Sequence, residues 1–253
     1  MASELQAHLS AVKNSVARRN GAQLASLLAL PLQNIPASAQ QFVDKIKTLN
    51  VITLSENSIP DASLATLVGN RLSALISFLH EDYEASKRTL LPSLCADILA
   101  AYKLEHTAYN AMLDYFSGKD EDTTWIIPVL VRVSNDLRSV ASRADEKAND
   151  INNKFLRESL NSLTRGFTIV AKDRTPVRQA GSKKLAIFAV TNVLFKIYFK
   201  VNTLQLCGKL INVVEGPGNI MDNLSLFPVC DVSMYKYYIG RLKMFEDRYE
   251  EAR

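Results

Sequence analysis

Glycine and proline are scarce in this 253-residue chain, nine and eight residues, together about 7 % against a usual value of about 12 %. Sandwiches and barrels draw on those residues at most chain reversals, so the shortage argues against an all-β architecture. Cysteine is rarer still. Cys95, Cys207 and Cys230 stand far apart with no C-x-x-C spacing, which points to neither a disulfide framework nor a thiolate metal site and fits an intracellular setting. His8, His80 and His106 are equally scattered. No H-E-x-x-H pair, nucleophile elbow or phosphate loop accompanies them, so an enzyme is not expected, and neither is a metal or a cofactor. The consecutive acids Asp120, Glu121 and Asp122 lack calcium-loop spacing and read as an exposed turn. Long hydrophobic runs are missing too. The apolar stretch from Leu185 to Phe199 is interrupted by Thr191, Asn192 and Lys196, too short and too polar to cross a bilayer, and Met1 to Asn20 lacks the apolar core of a secretory signal. No membrane partner is expected.

What is present is a globular balance, 47 % hydrophobic and 22 % charged residues, arranged with a helical period. Leu5, Leu9, Val12 and Val16 form one stripe that Asn20-Gly21 should stop. Shorter helices are expected over Gln23 to Leu30, ended by Pro31, and over Gln41 to Leu49, with Ser38 as cap. Asp61 should cap a longer helix carrying Leu64, Leu67, Val68, Leu72, Leu75, Ile76 and Leu79. Pro92 starts or kinks the next. Trp125 to Val140 resumes the period, and Ser142 to Asn153 follows as an exposed face or loop. After a stripe from Phe155 to Phe167, the segment Lys183 to Val201 is apolar on nearly every face and is expected to be buried between neighbours. A helix through Leu206 and Val214 should break at Gly216-Pro217-Gly218, and Asp231 or Ser233 should cap the last one. The clearest internal boundary is Ser117-Gly118-Lys119-Asp120, dividing a helical region 1–118 from a second region 119–253. Gly240, Tyr249 and Ala252 have the small–aromatic–small spacing of a tetratricopeptide hairpin. The fold expected is therefore an all-α, right-handed helical-repeat solenoid, and the sequence reads as cut within a repeat at Arg253.

The net charge of +4 is unevenly spread. Between Arg165 and Leu210, nine Lys or Arg face the single acid Asp173. Lys172, Arg174, Arg178, Lys183 and Lys184 are the candidates within this segment 165–210 for contact with RNA, DNA or an acidic protein, since clustered cations release counterions on meeting phosphates. A solvated rim around an apolar helix is the alternative. Arg174 and Arg178, in a loop, are better placed than the helical lysines. Tyr198, Phe199, Tyr235, Tyr237 and Tyr238 stand at helical spacing, which favours core packing over base stacking, and Cys207 on an apolar stripe reads as an inert buried thiol.

Several segments occur in order from about Trp125 to Arg253: Trp125-Ile126-Ile127-Pro128, Asp136-Leu137-Arg138 with Ala141, Ala144 and Asp145, Asp173-Arg174 ahead of Ser182-Lys183-Lys184, the run Asn192 to Asn202 with Leu206-Cys207 and Leu210-Ile211, and Tyr235 to Arg241. Together they resemble the PCI-domain proteins of the nuclear messenger-RNA export machinery, the TREX-type branch with its COP9-signalosome-subunit-like relatives. The resemblance implies a curved helical stack leading into a winged helix, and the sequence is expected to stop before that module. It further implies a non-catalytic scaffold in the nucleus, at the nuclear pore and partly in the cytoplasm. Its implied partners are a larger PCI-like export scaffold protein and a small acidic disordered subunit. A scaffold associated with the COP9 signalosome or the proteasome lid is the alternative within the same family.

Overall fold

A computed structural model of the chain describes residues 2–30, 37–87, 95–118, 122–216 and 220–252. Pro31, Pro92, Asp120, Glu121, Pro217 and Gly218, with the side chains of His80, Cys95 and Ala252, lie outside the described residues. The described residues are helical, with no strand among them, and the contacts divide them into two units, Met1–Phe155 and Leu156–Arg253. The turn at Ser117 and Gly118 falls inside the first unit, because the helices on either side of it pack on each other.

In the first unit seven helices follow one another: α1 (Ala2–Ala17), α2 (Gly21–Leu27), α3 (Ala37–Ile46), α4 (Val51–Ser58), α5 (Ala62–Lys87), α6 (Cys95–Phe116) and α7 (Ile127–Ala148). Helix α5 lies along both α4 and α6, and α6 lies along α7. Long neighbours joined by short connections must run antiparallel. The stripe Leu5, Leu9 and Val12 is buried as its spacing requires. Asn20, expected to stop α1, instead caps α2, its side chain accepting the Gln23 N–H at 3.0 Å. Ser38 lies within α3 and caps nothing, whereas Asp61 caps α5 through the Leu64 N–H at 2.8 Å. Helix α4, capped by Asn50, is too short to show a period and escapes the sequence reading. Helix α7 continues through the charge-mixed segment to Ala148 and ends on Asn149, at φ 55° in the left-handed conformation that Asn tolerates.

Within α5 the 18 residues Ala62–Leu79 are long and apolar enough to cross a bilayer, a stretch that the sequence reading passed over, and 61 % of it is buried inside the protein. It contains Arg71, 1 % exposed. The Arg71 guanidinium bonds Glu105 of α6, also fully buried, reaches Asp136 Oδ2 of α7 at 2.6 Å, and donates from Nε and Nη2 to the Leu28 carbonyl at 2.9 and 2.6 Å. Arg132 completes the cluster, bonding Asp136 Oδ2 at 3.0 Å and the Leu30 carbonyl at 2.8 Å. Glu105 Oε2 has no hydrogen-bond partner among the described residues. Burial pushes the Glu105 carboxyl up to about 7, with Arg71 pulling the other way.

The amino-terminal end of α2 meets the turn before α7 backbone to backbone. A Cβ on Gly21 would stand 1.8 Å from the Trp125 carbonyl oxygen and 3.2 Å from Pro128 Cδ. The Trp125-Ile126-Ile127-Pro128 segment is therefore the floor on which α2 starts.

The second unit begins in the first turn of α8 (Lys154–Ala171) and contains α9 (Ile187–Lys200), α10 (Cys207–Val214) and α11 (Val229–Phe245). Every residue of α9 from Ile187 to Phe195 is buried, so this helix is the spine that its all-round apolarity predicts. Its outer turns meet α11 through rings. Phe188 packs on Phe227 and Tyr235 at 4.7 and 5.0 Å between centroids, and Phe195 on Tyr235 and Tyr238 at 5.8 and 5.7 Å. Such pairs contribute roughly 0.5–1.5 kcal/mol each beyond area burial. Tyr198, Tyr235 and Tyr238 are core residues as expected, but Tyr237 is more than half exposed. Helix α11 starts at Val229, so Asp231 lies in its first turn instead of capping it.

Gly21→Ala is expected to destabilise the protein by about 1–3 kcal/mol or more in urea unfolding, because backbone must move to admit the methyl. Gly208→Ala, where a Cβ meets nothing within 4 Å, should be neutral or stabilising by up to about 1 kcal/mol. Arg71→Met should cost about 3–5 kcal/mol by stranding two buried carboxylates. A raised carboxyl pKa means that the native state holds a proton the unfolded chain has already lost. Between pH 4.5 and about 7 the Glu105 contribution to stability therefore falls as pH rises, and Glu105→Gln should remove that slope from the pH dependence of the unfolding midpoint.

Candidate functional site

The basic segment is built around one acid. Helix α8 closes with the Lys172 N–H on the Thr168 carbonyl at 3.0 Å, and the next residue, Asp173, turns the chain. Its Oδ1 accepts the Thr175 N–H at 3.1 Å, a local turn of the kind aspartate favours, and its Oδ2 accepts the Lys183 N–H at 2.6 Å across ten residues. Ser182, fully buried, donates from its hydroxyl to the Thr175 carbonyl at 3.2 Å, and Val177 tucks its side chain into the unit. Gly181 takes φ 88°, a conformation in which a side chain would be strained, just before the helical turn 183–186 that leads into α9.

Closing the loop in this way brings the backbone of residue 183 back to residue 173, so residues 172–174 and 183–184 share one end of the loop. Lys172 and Arg174 are exposed, Lys184 is half-exposed, and none of the three has an ion-pair partner among the described residues. Lys183 is half-buried, and burial lowers its pKa while the Asp173 carboxylate opposes the shift. Arg178 is set apart at the far turn, where its Nε donates to Oδ1 of the buried Asn223 at 2.5 Å. Of the five candidates, then, four gather at one end of the loop and Arg178 braces the other.

The sequence reading counted Asp173 as the acid that offsets the cluster. Its two oxygens accept backbone N–H groups, and its charge acts on Lys183, while Lys172, Arg174 and Lys184 form no ion pair with it among the described residues. The signal was readable in the Asp173-x-Thr175 spacing, which is that of a side-chain-to-backbone turn. The remaining chemistry-bearing residues do not converge. His8 packs on Phe42 at 5.3 Å in the first unit, His106 lies 5.9 Å from Tyr102 on α6, and Cys207 is buried in the second unit with its thiol pushed up to about 11 by desolvation. No cluster of three or more His, Cys, Asp or Glu suited to a metal ion occurs among the described residues.

No family model matches the chain. Individual relatives do. A PCI domain-containing protein 2 homolog of Dictyostelium discoideum is 27 % identical over 217 residues, covering 84 % of this chain and 48 % of the relative. PCI domain-containing protein 2 of Danio rerio is 31 % identical over 163 residues, 62 % of this chain and 39 % of the relative. A Protein CSN12 homolog of Neurospora crassa is 31 % identical over 148 residues, 51 % of this chain and 32 % of the relative. The chain spans less than half the length of these curated relatives. Conversely, the segments that carry the resemblance have structural work in the fold: Trp125 to Pro128 floors α2, Asp136 holds two arginines, Asp145 caps α8 through the Phe155 N–H at 2.8 Å, and Asp173 closes the basic loop. An all-helical fold among the described residues and sequence similarity spread over up to five-sixths of the chain support a PCI-domain protein related to the PCI domain-containing protein 2 and CSN12 homologs.

Proposed function

We propose that the chain is part of a non-catalytic, scaffold-type subunit of a PCI complex, and that this complex is a nuclear one coupling transcription to messenger-RNA export. The reading is supported by the relatives named PCI domain-containing protein 2 and CSN12 homolog, and by helices whose side chains pack each other instead of lining a reactive cleft. Paired helices laid side by side leave long grooves between them, suited to extended partners. The partners proposed are a larger PCI-like export scaffold protein and a small acidic subunit, acting in the nucleus, at its pores, and to a lesser extent in the cytoplasm. The name CSN12 favours, as the second reading, a scaffold associated with the COP9 signalosome or the proteasome lid.

Contact of the basic loop with a polyanion, either the acidic subunit or RNA or DNA, is supported by Lys172, Arg174 and Lys184, which carry no ion pair among the described residues. Cations left uncompensated at a surface attract acidic chains and phosphates alike.

Affinity purification from the native cell tests the assignment: messenger-RNA export subunits should co-purify, signalosome or lid subunits would favour the second reading, and the absence of all PCI proteins would reject both. The loop is tested separately with the triple variant Lys172→Glu, Arg174→Glu, Lys184→Glu. Binding to an oligouridine RNA should weaken, and the slope of log affinity against log salt should become shallower by roughly 2, the value for losing three contacts to a single strand. An unchanged slope would assign these side chains to a solvated rim.

A further inference from the structure

Of the eight prolines in the chain, Pro176 alone follows a hydroxyl residue, and the order there is Thr175-Pro176-Val177-Arg178. Proline has no N–H to leave unpaired, so it suits a protein kinase whose groove offers no backbone acceptor just after the target hydroxyl. It also biases the preceding residue toward the extended backbone in which a kinase grips its substrate. A cation three residues beyond the hydroxyl completes a charge pattern of the kind by which kinases choose among substrates. Thr-Pro-x-Arg is thus the order read by proline-directed kinases of the cyclin-dependent class.

The fold sets this tetrapeptide outside any helix, in the loop between α8 and the helical turn 183–186. Thr175 is half-exposed, and Pro176 and Arg178 are exposed. The other nearby hydroxyls are spoken for. Ser182 is fully buried and bonds the Thr175 carbonyl at 3.2 Å, while the Thr168 hydroxyl bonds the Thr164 carbonyl at 2.8 Å within α8. The Thr175 hydroxyl makes no hydrogen bond among the described residues. Lys172, Arg174, Arg178 and Gln179 make this a hydrophilic surface that calls for no apolar cover. Asp173, Ser182 and Asn223 hold the stretch through the Thr175 N–H, the Thr175 carbonyl and the Arg178 side chain, and Val177 is buried. Presenting Thr175 to a kinase therefore takes a local opening of the loop and leaves the helices of the unit in place.

We propose that Thr175 is a phosphorylation site for a proline-directed kinase of the cyclin-dependent class, and that the cations of its own loop hold the phosphate. In the transfer the Thr175 oxygen bonds to the γ-phosphorus of ATP while the bond from that phosphorus to the leaving oxygen of ADP breaks, and the hydroxyl proton passes to the base of the kinase. The product carries a charge of about −1.5 to −2 at pH 7 and three acceptor oxygens. Arg174 is its chain neighbour, and residues 172 and 183–184 stand at the end of the loop that Asp173 closes. Lys172, Arg174 and Lys184 form no ion pair among the described residues, so no salt bridge has to break before they turn to the phosphate. Asp173 repels it, one acid against the cations of Lys172, Arg174, Lys183 and Lys184. Phosphorylation thus turns a basic surface into a nearly neutral one. The site needs no part of the reading given above.

The test incubates the whole folded chain with a cyclin-dependent kinase–cyclin complex and ATP and locates the phosphate by mass spectrometry, with a synthetic peptide of residues 170–182 as the control that the kinase is active. The wild type should gain phosphate on Thr175. Pro176→Ala should gain it more slowly by roughly tenfold or more, and Arg178→Ala should also be slower. Unfolding cannot mimic that loss, since an unfolded variant would expose Thr175 more fully. Capture by the loop is read from a phosphorus NMR titration of the product. The second pKa of the phosphate, about 6 on a free chain, should be lower in the native protein than in the urea-unfolded one by about half a unit or more. Lys172→Gln, Arg174→Gln and Lys184→Gln together should abolish the difference. Phosphate on the peptide but none on Thr175 of the native chain would overturn the site, as would a Pro176→Ala variant modified at the wild-type rate. An identical pKa in native and unfolded protein would overturn the capture of the phosphate by the loop.

Discussion

A buried guanidinium needs a partner for its donors, and Arg71 finds them on three different elements at once. Glu105 comes from α6, Asp136 from α7, and the Leu28 carbonyl from the end of α2, while Arg71 itself stands in the most apolar part of α5. Apolar packing alone would let α5, α6 and α7 slide or rotate past one another at modest cost, since one Leu contact resembles another. The cluster removes that freedom, because a displaced carboxylate would be a buried charge without its cation. Arg132 extends the same constraint to the Leu30 carbonyl, so the path of the chain leaving α2 is fixed by two side chains that lie far away in sequence. The cost is carried by Glu105, whose second oxygen has no partner and whose carboxyl is held above its ordinary range.

The second unit follows a different rule. Helix α9 has no charged residue in its buried stretch, and its position comes from shape, with rings of α11 and Phe227 closing on Phe188 and Phe195. A backbone hydrogen bond to a carboxylate, Lys183 N–H to Asp173, then decides where the connection from α8 enters. Both units therefore use acids as internal fasteners. Around Asp173, Lys172 and Arg174 are exposed and, like Lys184, form no ion pair among the described residues. A surplus of four charges across the whole chain becomes a local field at one loop.

How much of this was legible in the sequence depended on whether a residue's neighbours were close along the chain. The stripes of α1, α5 and α8, the all-round apolarity of α9 and the Asp61 cap are local patterns, and they could be read directly. Helix α4 has only eight residues, too few for a period to emerge, and Asn20 caps the helix after it although Asn-Gly also reads as a stop for the helix before. The ion cluster could not be found, because Arg71, Glu105 and Asp136 are separated by dozens of residues and each alone resembles a surface charge. The candidate site was legible as composition, nine cations against one acid, but its geometry was not: that Lys183 returns to Asp173, and that Arg178 points away to Asn223, are facts of folding. Tyr237 shows the same limit from the other side. Its helical spacing matches that of Tyr235 and Tyr238 closely enough that only the rotation of α11 against α9 separates the exposed ring from the buried ones.

That rotation also bears on what kind of molecule this is. A helix that packs on a single neighbour needs only one apolar face. In α11 the burial is incomplete: after Tyr235 and Tyr238 are covered, Met234, Tyr237, Met244 and Phe245 are not. Scattered apolar residues on a surface need no explanation, but these recur at helical spacing on one side of α11 and adjoin a pocket lined by Arg241, Met244, Phe245 and Tyr249. In a fold of stacked helices each new helix is both a lid for the previous one and a platform for the next, and on α11 the Arg241 guanidinium lies against the rings of Phe199 and Tyr237.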